Sequence, residues 1–175
     1  LKEIYQTLIQ SQDRSYYIGC SDTSMVVGNW KTKTFEKWWL EKLGLNKNNL
    51  SNEAMKAGNN YEHKILDSLE IEDLEKDKQI IKDRLRANLD GNTNTCIYEV
   101  KTHNIDKEFK VSKQYWRQAQ VEMYASGIHK LYIVAYGLQE NDYNNYFNEI
   151  DKNRLELINV DYDKEFIENE YLPKL

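Results

Sequence analysis

The sequence predicts an α/β fold in which a central mixed β-sheet is flanked by helices. Apolar side chains recur at helical spacing in the segments before residue 70, whereas residues 79–100 follow strand spacing. A further helical segment then separates this region from a second strand-like run at residues 131–136. The 175-residue chain contains no repeats and no linker, so we expect residues 1–175 to form a single domain.

The first part of the chain is predicted to be helical. Ser21 is placed to cap a short helix that ends at Gly28, and Thr34 to cap a second helix that ends at Gly44. A third and longer helix is predicted over about residues 51–69, because its apolar side chains recur at helical spacing.

The middle of the chain predicts a hairpin. Short strands are expected at residues 79–81, 85–89 and 96–100. The last two are joined by residues 90–94, Asp-Gly-Asn-Thr-Asn, which are typical of the turn in an antiparallel pair. Asp90 is therefore expected where the first strand of the hairpin meets the turn.

The remaining elements continue the alternation of helices and strands. Ser112 is expected to cap a helix that runs to Ser126 and ends at Gly127. Residues 131–136 are largely apolar and predict a buried strand. A short strand around residues 155–160 and a terminal helix complete the predicted fold.

The composition is typical of a soluble globular protein, with 40% hydrophobic and 30% charged residues. No apolar run approaches the roughly 18 residues that a membrane-spanning helix needs, so we expect no membrane partner. No secretory signal pattern is present, and an intracellular location is expected. The spacing of Cys20 and Cys96 does not indicate a disulfide, so we expect reduced, packed thiols.

The charge distribution leaves the class of partner open. A net charge of −5 argues against a nucleic-acid partner, which usually binds a basic surface. However, residues 76–86 and 101–117 are locally basic, and the acidity is concentrated in residues 149–170. Basic runs are most often solvated surface, so they do not by themselves indicate nucleic-acid binding.

Three charged residues of the hairpin predict a metal site. Glu99 and Lys101 are two residues apart on a strand, so both side chains leave the same face, and antiparallel pairing would bring Asp90 beside Glu99. Two adjacent carboxylates repel each other unless a cation lies between them. Such oxygen ligands suit Mg²⁺ or Mn²⁺, and a neighbouring lysine can neutralise charge on a phosphate. This pattern favours a metal-dependent phosphodiesterase; the alternative is a plain hairpin with a surface Glu/Lys pair.

Further motifs flank this group of residues. Gly58 and Glu62 form a Gly-x-x-x-Glu motif in the long helix, Gln118 and Gln120 form Gln-x-Gln in the next, and Arg14 precedes Ile-Gly-Cys-Ser-Asp at residues 18–22. With these motifs the chain resembles the YqaJ-type viral recombinases, relatives of the phage lambda exonuclease in the PD-(D/E)xK nuclease superfamily. The family's motifs occur in the same order across residues 14–124.

The resemblance implies roles for the central residues. Asp90 and Glu99 would be the metal-binding carboxylates, assisted by the carbonyl group of Val100. Lys101 would be the active-site lysine, and Glu62 would hold a second metal or its water shell. For Glu62 an alternative is one more exposed carboxylate on a helix.

The resemblance also implies roles for the outer motifs. Gln118 would hydrogen-bond within the active site, with Gln120 ranked below it, and Arg14 and Ser21 would lie near the terminal 5′-phosphate of the substrate strand. A solvated polar residue is the alternative for Gln118, and a simple helix cap is the alternative for Ser21.

The family pattern implies a restriction-endonuclease-like core and a hydrolase that requires Mg²⁺, for which Mn²⁺ can substitute. Its substrate would be ends of linear double-stranded DNA, digested 5′ to 3′ during phage DNA recombination. An endonuclease or nickase in defence or repair, or a catalytically silent module that binds DNA ends, are the alternatives. By analogy only, the family also implies a single-strand annealing protein as the partner and a homotrimer as the assembly. The location it implies is the cytoplasm of a bacterial or phage-infected cell.

Some residues depart from the pattern or carry no motif. Cys20 stands where the family usually has a small residue, and His103 stands where proline is frequent, so the loop after Lys101 is expected to differ. His63, His103 and His129 lack ligand spacing, and we assign them no metal. No Walker-type phosphate loop is present, so ATP is not expected as a cofactor.

Overall fold

The computed structural model describes residues 15–46 and 52–175. Arg14, to which the family resemblance gives a phosphate-binding role, lies outside the described residues.

Within the described residues, six strands form one sheet. They are β1 (Ile18–Gly19), β2 (Glu75–Lys82), β3 (Leu85–Asn92), β4 (Ile97–Asn104), β5 (Lys130–Leu138) and β6 (Leu155–Asp161). The mixed sheet is predicted by the sequence, but its first strand, β1, is not. β3 pairs parallel with β1 and antiparallel with β2 and β4. β5 lies between β4, to which it is parallel, and β6, to which it is antiparallel.

The helices connect and cover these strands. They are α1 (Thr23–Val26), α2 (Lys33–Lys42), α3 (Glu53–Ser68) and α4 (Lys113–Ser126), and a π-helical turn, Phe166–Tyr171, lies near the C-terminus. α4 is the crossover that the parallel pair of β4 and β5 requires. Its predicted ends are confirmed, because Ser112 Oγ accepts the Tyr115 N–H at 3.1 Å and Gly127 adopts a left-handed φ of 73°.

Two predicted helix caps are wrong. Ser21 does not cap a helix, because it lies inside a 3₁₀ turn, Cys20–Asp22. The amide before this turn, Gly19 N–H, donates to the Asp22 carboxylate at 2.9 Å, so Asp22 rather than Ser21 supplies the side-chain acceptor at this turn. α2 begins earlier than expected, since Thr32 rather than Thr34 accepts the Phe35 N–H, at 3.1 Å.

The predicted five-residue turn after Leu89 is also too long. β3 continues through Asp90 and Gly91 to Asn92, and only the residues before β4 turn. The hydroxyl of Thr93 accepts the Cys96 N–H at 3.1 Å and closes this turn. Asp90 therefore lies within a strand rather than at its end.

The core occupies both faces of the sheet. On one face α3 packs its apolar residues against β4 and β5; the buried residues are Ala57, Tyr61, Ile65, Leu66, Val100, Val134, Tyr136 and Leu138. On the other face α4 packs against β3, β4, β5 and β6; the buried residues are Leu89, Ile97, Ala119, Met123, Leu131, Ile133 and Val160. Cys20 and Cys96 are free and buried, as expected. Among the described helices, none combines the length and apolarity that crossing a membrane requires.

Candidate active site

The strands β3 and β4 separate at the predicted metal site. Their backbone pairing joins Asn92 with Ile97 and Gly91 with Tyr98. At the next position the Val100 N–H donates to Asp90 Oδ2 at 2.9 Å, so a side-chain carboxylate takes the place of a backbone acceptor. This contact fixes the Asp90 carboxylate next to the backbone that carries Glu99 and Val100.

Three side chains hold the ammonium group of Lys101, and Glu99 is one of them. Lys101 Nζ lies 3.0 Å from Glu99 Oε1 and 3.1 Å from Gln118 Oε1. The same ammonium group lies 4.7 Å from the centre of the Tyr115 ring, which attracts cations through its electron-rich face. Glu99 and Lys101 thus leave the same face of β4, as their spacing predicts.

A cleft of about 380 Å³ brings the predicted central residues together. Its lining includes Glu62, Asp90, Glu99, Val100, Lys101, Thr102 and Tyr115. Glu62 reaches the cleft because α3 approaches β4 closely one turn earlier, where a Cβ atom at Gly58 would lie 3.0 Å from Thr102 Oγ1. The glycine of the Gly-x-x-x-Glu motif therefore positions its glutamate.

Carboxyl groups dominate the electrostatics of this cleft. Burial, followed by the charges of Glu99 and Glu62, raises the pKa of Asp90 to about 9. Burial and the charges of Glu99 and Asp77 also raise the pKa of Glu62. Burial alone would lower the pKa of Lys101, but the charge and hydrogen bond of Glu99 raise it. A positive charge in the cleft would relieve this repulsion.

The residues present fit a divalent cation. Glu99 Oε2 is buried and has no hydrogen-bond partner among the described residues, which is the state expected of an oxygen that ligates a metal. Asp90 and Glu62 add carboxylate oxygens, and oxygen ligands of this kind suit Mg²⁺ and Mn²⁺. On the outer side, ligand atoms of Glu62, His63 and Asp77 also lie within 4.8 Å of one another. His63, to which the sequence assigns no metal, therefore borders the acidic group.

Ser21 lies in a neighbouring cleft of about 440 Å³ rather than among the carboxylates. This second cleft is also lined by Arg86 and Asn88, which lie on β3 before Asp90. Met55 lines both clefts and so lies where they adjoin. Ser21 is thus close to the site but separate from its acidic centre.

The two glutamines of α4 are placed differently. Gln118 Nε2 donates to Glu99 Oε1 at 2.8 Å, which puts Gln118 inside the site. Gln120 instead donates to the Asp161 carbonyl at 2.8 Å and accepts the Asp163 N–H at 2.7 Å. The hydrogen bonds of Gln120 therefore connect α4 to the end of β6 rather than to Lys101.

Two residues of the site were missed by sequence reasoning. Tyr115 supports Lys101, and the fully buried Glu122 accepts from Gln118 Nε2 at 2.9 Å. Burial, followed by the charges of Glu99 and Asp90, raises the pKa of Glu122. A signal was present, since Glu122 stands between the apolar residues Val121 and Met123 and one helical turn after Gln118.

Comparisons with known proteins identify solved structures of similar fold. The structure resembles an alkaline exonuclease (LHK-Exo) from Laribacter hongkongensis, with a TM-score of 0.65 and 18% identity, over 89% of this chain and 82% of that one. The same exonuclease in complex with dAMP gives a TM-score of 0.66 at 18% identity, over 89% and 83% of the two chains. A phage-related exonuclease from Haemophilus somnus gives 0.64 at 18% identity, over 86% of each chain.

These likenesses establish the shared fold, a mixed sheet flanked by helices. No curated protein matches the chain in sequence. The family model described as the YqaJ-like viral recombinase domain matches residues 11–129, which is more than half of the chain. This match spans Glu62, the Asp90 and Glu99 pair, Lys101 and Gln118, and on it the chain belongs to the family of YqaJ-like viral recombinase domains.

Proposed function

We propose that residues 1–175 form one nuclease domain that hydrolyses phosphodiester bonds of linear double-stranded DNA. The observation that carries the proposal is the arrangement at the separated strands, where Asp90 and Glu99 line one cleft and Lys101 Nζ lies 3.0 Å from Glu99 Oε1. Membership of the recombinase-domain family and the fold shared with exonucleases support a nuclease over a module that only binds DNA ends.

Asp90, Glu99, the Val100 carbonyl group and Glu62 are proposed to hold Mg²⁺, for which Mn²⁺ can substitute. A bound divalent cation supplies Lewis acidity, which polarises the phosphodiester and makes a water molecule a better nucleophile. ATP has no part in this reaction.

The side chains around the cation have separate tasks. Lys101 is proposed to stabilise the negative charge that develops on the phosphoryl oxygens, since its ammonium group is fixed before the reaction begins. Glu99 and Gln118 hold that ammonium group through the contacts at 3.0 and 3.1 Å. The Val100 N–H keeps one oxygen of Asp90 occupied, which orients the remaining oxygen.

We propose that digestion proceeds 5′ to 3′ from a DNA end. Ser21 and Arg14 are proposed to recognise the terminal 5′-phosphate, with Ser21 in the cleft that adjoins the acidic one at Met55. The proposed setting is DNA recombination in a bacterial or phage-infected cytoplasm, with a single-strand annealing protein as partner and a homotrimer as the assembly.

The test compares linear duplex DNA, with and without a 5′-phosphate, with a closed circle of the same sequence. Metal-dependent loss of only the linear DNA, with release of a 5′-end label before a 3′-end label, supports the proposal, and cutting of the circle points instead to an endonuclease. No cleavage in Mg²⁺ or Mn²⁺ contradicts a nuclease and supports an end-binding module.

Variants of two Glu-x-Lys pairs provide a matched control. Glu99→Gln and Lys101→Met should each lower kcat by about 100-fold or more, because each removes a charge at the reacting phosphate. Glu108 and Lys110 have the same spacing but form an exposed ion pair at 3.4 Å, so Glu108→Gln and Lys110→Met should retain kcat within about threefold, as surface substitutions usually do. A fully active Lys101→Met would contradict the mechanism.

A further inference from the structure

Glu122 is a carboxyl group in the protein core that neither the family motifs nor the proposed function uses. It lies on α4 with none of its surface accessible. Its Oε1 accepts from Gln118 Nε2 at 2.9 Å, whereas its Oε2 is buried and finds no hydrogen-bond partner in residues 15–46 and 52–175. A carboxyl group is costly to bury with one oxygen unpaired, so an apolar residue would serve the core better.

The contact of Glu122 is made to the side chain that links the two central residues of the cleft. Gln118 uses Nε2 to donate to Glu99 Oε1 at 2.8 Å and to Glu122 at 2.9 Å, and its Oε1 accepts from Lys101 Nζ at 3.1 Å. The two hydrogens of the amide nitrogen therefore have two acceptors, and the amide oxygen has one donor. All three contacts require the same orientation of the amide.

The opposite orientation of this amide would be unfavourable. A flipped Gln118 would turn its oxygen toward two carboxyl groups and its hydrogens toward the Lys101 ammonium group. Without Glu122, one hydrogen of the amide would be buried without an acceptor, and the side chain would lose its anchor on its own helix. Lys101 and Glu99 would then lose a fixed partner.

We propose that Glu122 is a positioning residue that fixes the Gln118 amide, and through it Lys101 and Glu99, for cleavage. This inference rests on the proposed function. Glu122 contributes a hydrogen-bond acceptor rather than a charge, since the contact to Gln118 Nε2 requires only an oxygen atom. Glutamine at this position supplies that oxygen, and methionine, which has a similar volume and helix propensity, does not.

The first test compares Glu122→Gln with Glu122→Met on linear duplex DNA. Glu122→Gln should retain kcat within about threefold, and Glu122→Met should lower kcat by about 10- to 100-fold with KM within about twofold, because displaced catalytic groups slow chemistry more than binding. The melting temperature of Glu122→Met should stay within about 4 °C of the wild type, since removing a buried carboxyl group offsets the Gln118 hydrogen that loses its acceptor. Glu108→Met makes the same exchange on the surface and should leave both quantities unchanged.

A second comparison separates positioning from a general structural role. If Glu122 acts through Gln118, then Glu122→Met should change kcat by less than about twofold in a Gln118→Met background, because coupled residues are not additive. An equal loss in both backgrounds, or a fall in melting temperature beyond about 4 °C with KM and kcat both impaired, overturns the proposal.

A spectroscopic readout does not depend on cleavage. In ¹H–¹⁵N spectra of the metal-free protein, the side-chain NH₂ pair that disappears in Gln118→Met identifies Gln118. One proton of that pair should move toward the position of a free amide in Glu122→Met and stay in place in Glu122→Gln. An unchanged pair in Glu122→Met overturns the proposal. A wild-type protein that cleaves no DNA overturns the proposed function instead, and the amide signals then decide alone whether Glu122 fixes Gln118.

Discussion

At the scale of single residues, two buried carboxyl groups differ in their hydrogen-bond partners. Asp142 accepts from Arg154 Nη1 at 2.6 Å and the Gln139 N–H at 2.8 Å on one oxygen, and from Asn148 Nδ2 at 2.9 Å on the other. Glu122 has a partner on one oxygen only. A buried carboxyl group with complete hydrogen bonding stabilises local structure, whereas an incomplete one indicates a functional role.

Asp142 supplies a prediction about stability and pH. Burial disfavours its ionised form, but hydrogen bonds from Arg154, Asn148 and the backbone outweigh burial and lower its pKa. The stabilisation from a lowered pKa is complete above the unfolded-state value of about 3.9 and is lost as the pH falls through the folded-state value. Asp142→Asn deprives the buried Arg154 of its closest charge partner and should lower the free energy of unfolding by about 3 kcal/mol at neutral pH.

Urea unfolding between neutral and acid pH checks this prediction. The difference in unfolding free energy between Asp142→Asn and the wild type should shrink as the pH falls below about 4, because protonated Asp142 no longer forms an ion pair with Arg154. Asp151→Asn is the control, since Asp151 is half-exposed and lies 3.7 Å from the same guanidinium group. Equal losses of unfolding free energy in the two variants at neutral pH would show that Asp142 stabilises the protein no more than the half-exposed Asp151 does.

Residue spacing revealed one half of the candidate site but could not reveal the other. Asp90, Glu99 and Lys101 belong to adjoining strands, so the two-residue period and the antiparallel turn suffice to predict that they meet. The contact of Glu122 with Gln118 joins residues one helical turn apart, so helical spacing encodes it as well. The contact of Tyr115 with Lys101 depends on how α4 packs across the sheet, and no local period encodes that placement. The family resemblance supplied Gln118 and Glu62, whose positions likewise depend on packing.

At the scale of elements, the sequence predicted helix ends correctly where only one residue was available to cap the helix. Ser112 and Gly127 mark the ends of α4 because no competing cap lies nearby. Caps failed where several polar residues adjoin: Thr32 and Thr34 are two residues apart, and the Asp22 carboxylate competes with the Ser21 hydroxyl. β1 has only two residues, and its pairing with β3 is a long-range contact that the sequence pattern does not contain.

The approach of α3 to β4 supplies a prediction at this scale. A Cβ atom at Gly58 would lie 3.0 Å from Thr102 Oγ1, so the larger side chain of Gly58→Val should push α3 outward and carry Glu62 away from the cleft. We expect kcat to fall by about tenfold or more, because displacements near 1 Å are costly in an active site. Steady-state cleavage of linear DNA measures this change.

Gly127→Ala separates this effect from a general loss of stability. Its φ of 73° disfavours a side chain, so the variant should lose about 1 kcal/mol of unfolding free energy while kcat stays unchanged. A Gly58→Val protein that loses only stability, like Gly127→Ala, would show that Gly58 does not position Glu62.

At the scale of the whole molecule, the cleft is assembled from elements that are separate in the chain. Glu62 comes from α3, Asp90 from β3, Glu99 and Lys101 from β4, and α4 contributes Gln118. Burial, followed by the repulsion between neighbouring carboxyl groups, raises the pKa values of Asp90 and Glu62. The fold therefore supports an arrangement that is unfavourable until a cation binds, a common conflict between stability and function.

This conflict predicts opposite effects of one substitution with and without metal. Asp90→Asn keeps an oxygen for the Val100 N–H and cannot ionise, so it avoids the cost of burying a carboxyl group whose pKa is raised to about 9. The metal-free variant should therefore melt a few degrees above the wild type, as a gain of about 1 kcal/mol in unfolding free energy implies for a chain of this size. Mg²⁺ should raise the melting temperature of the wild type, because a ligand that binds only the folded state stabilises it, and should raise that of Asp90→Asn far less. Asp106→Asn, an exposed control, should melt like the wild type in both conditions. An equal Mg²⁺-dependent rise in Asp90→Asn would place the cation elsewhere, since a site without that carboxylate could not bind it as tightly.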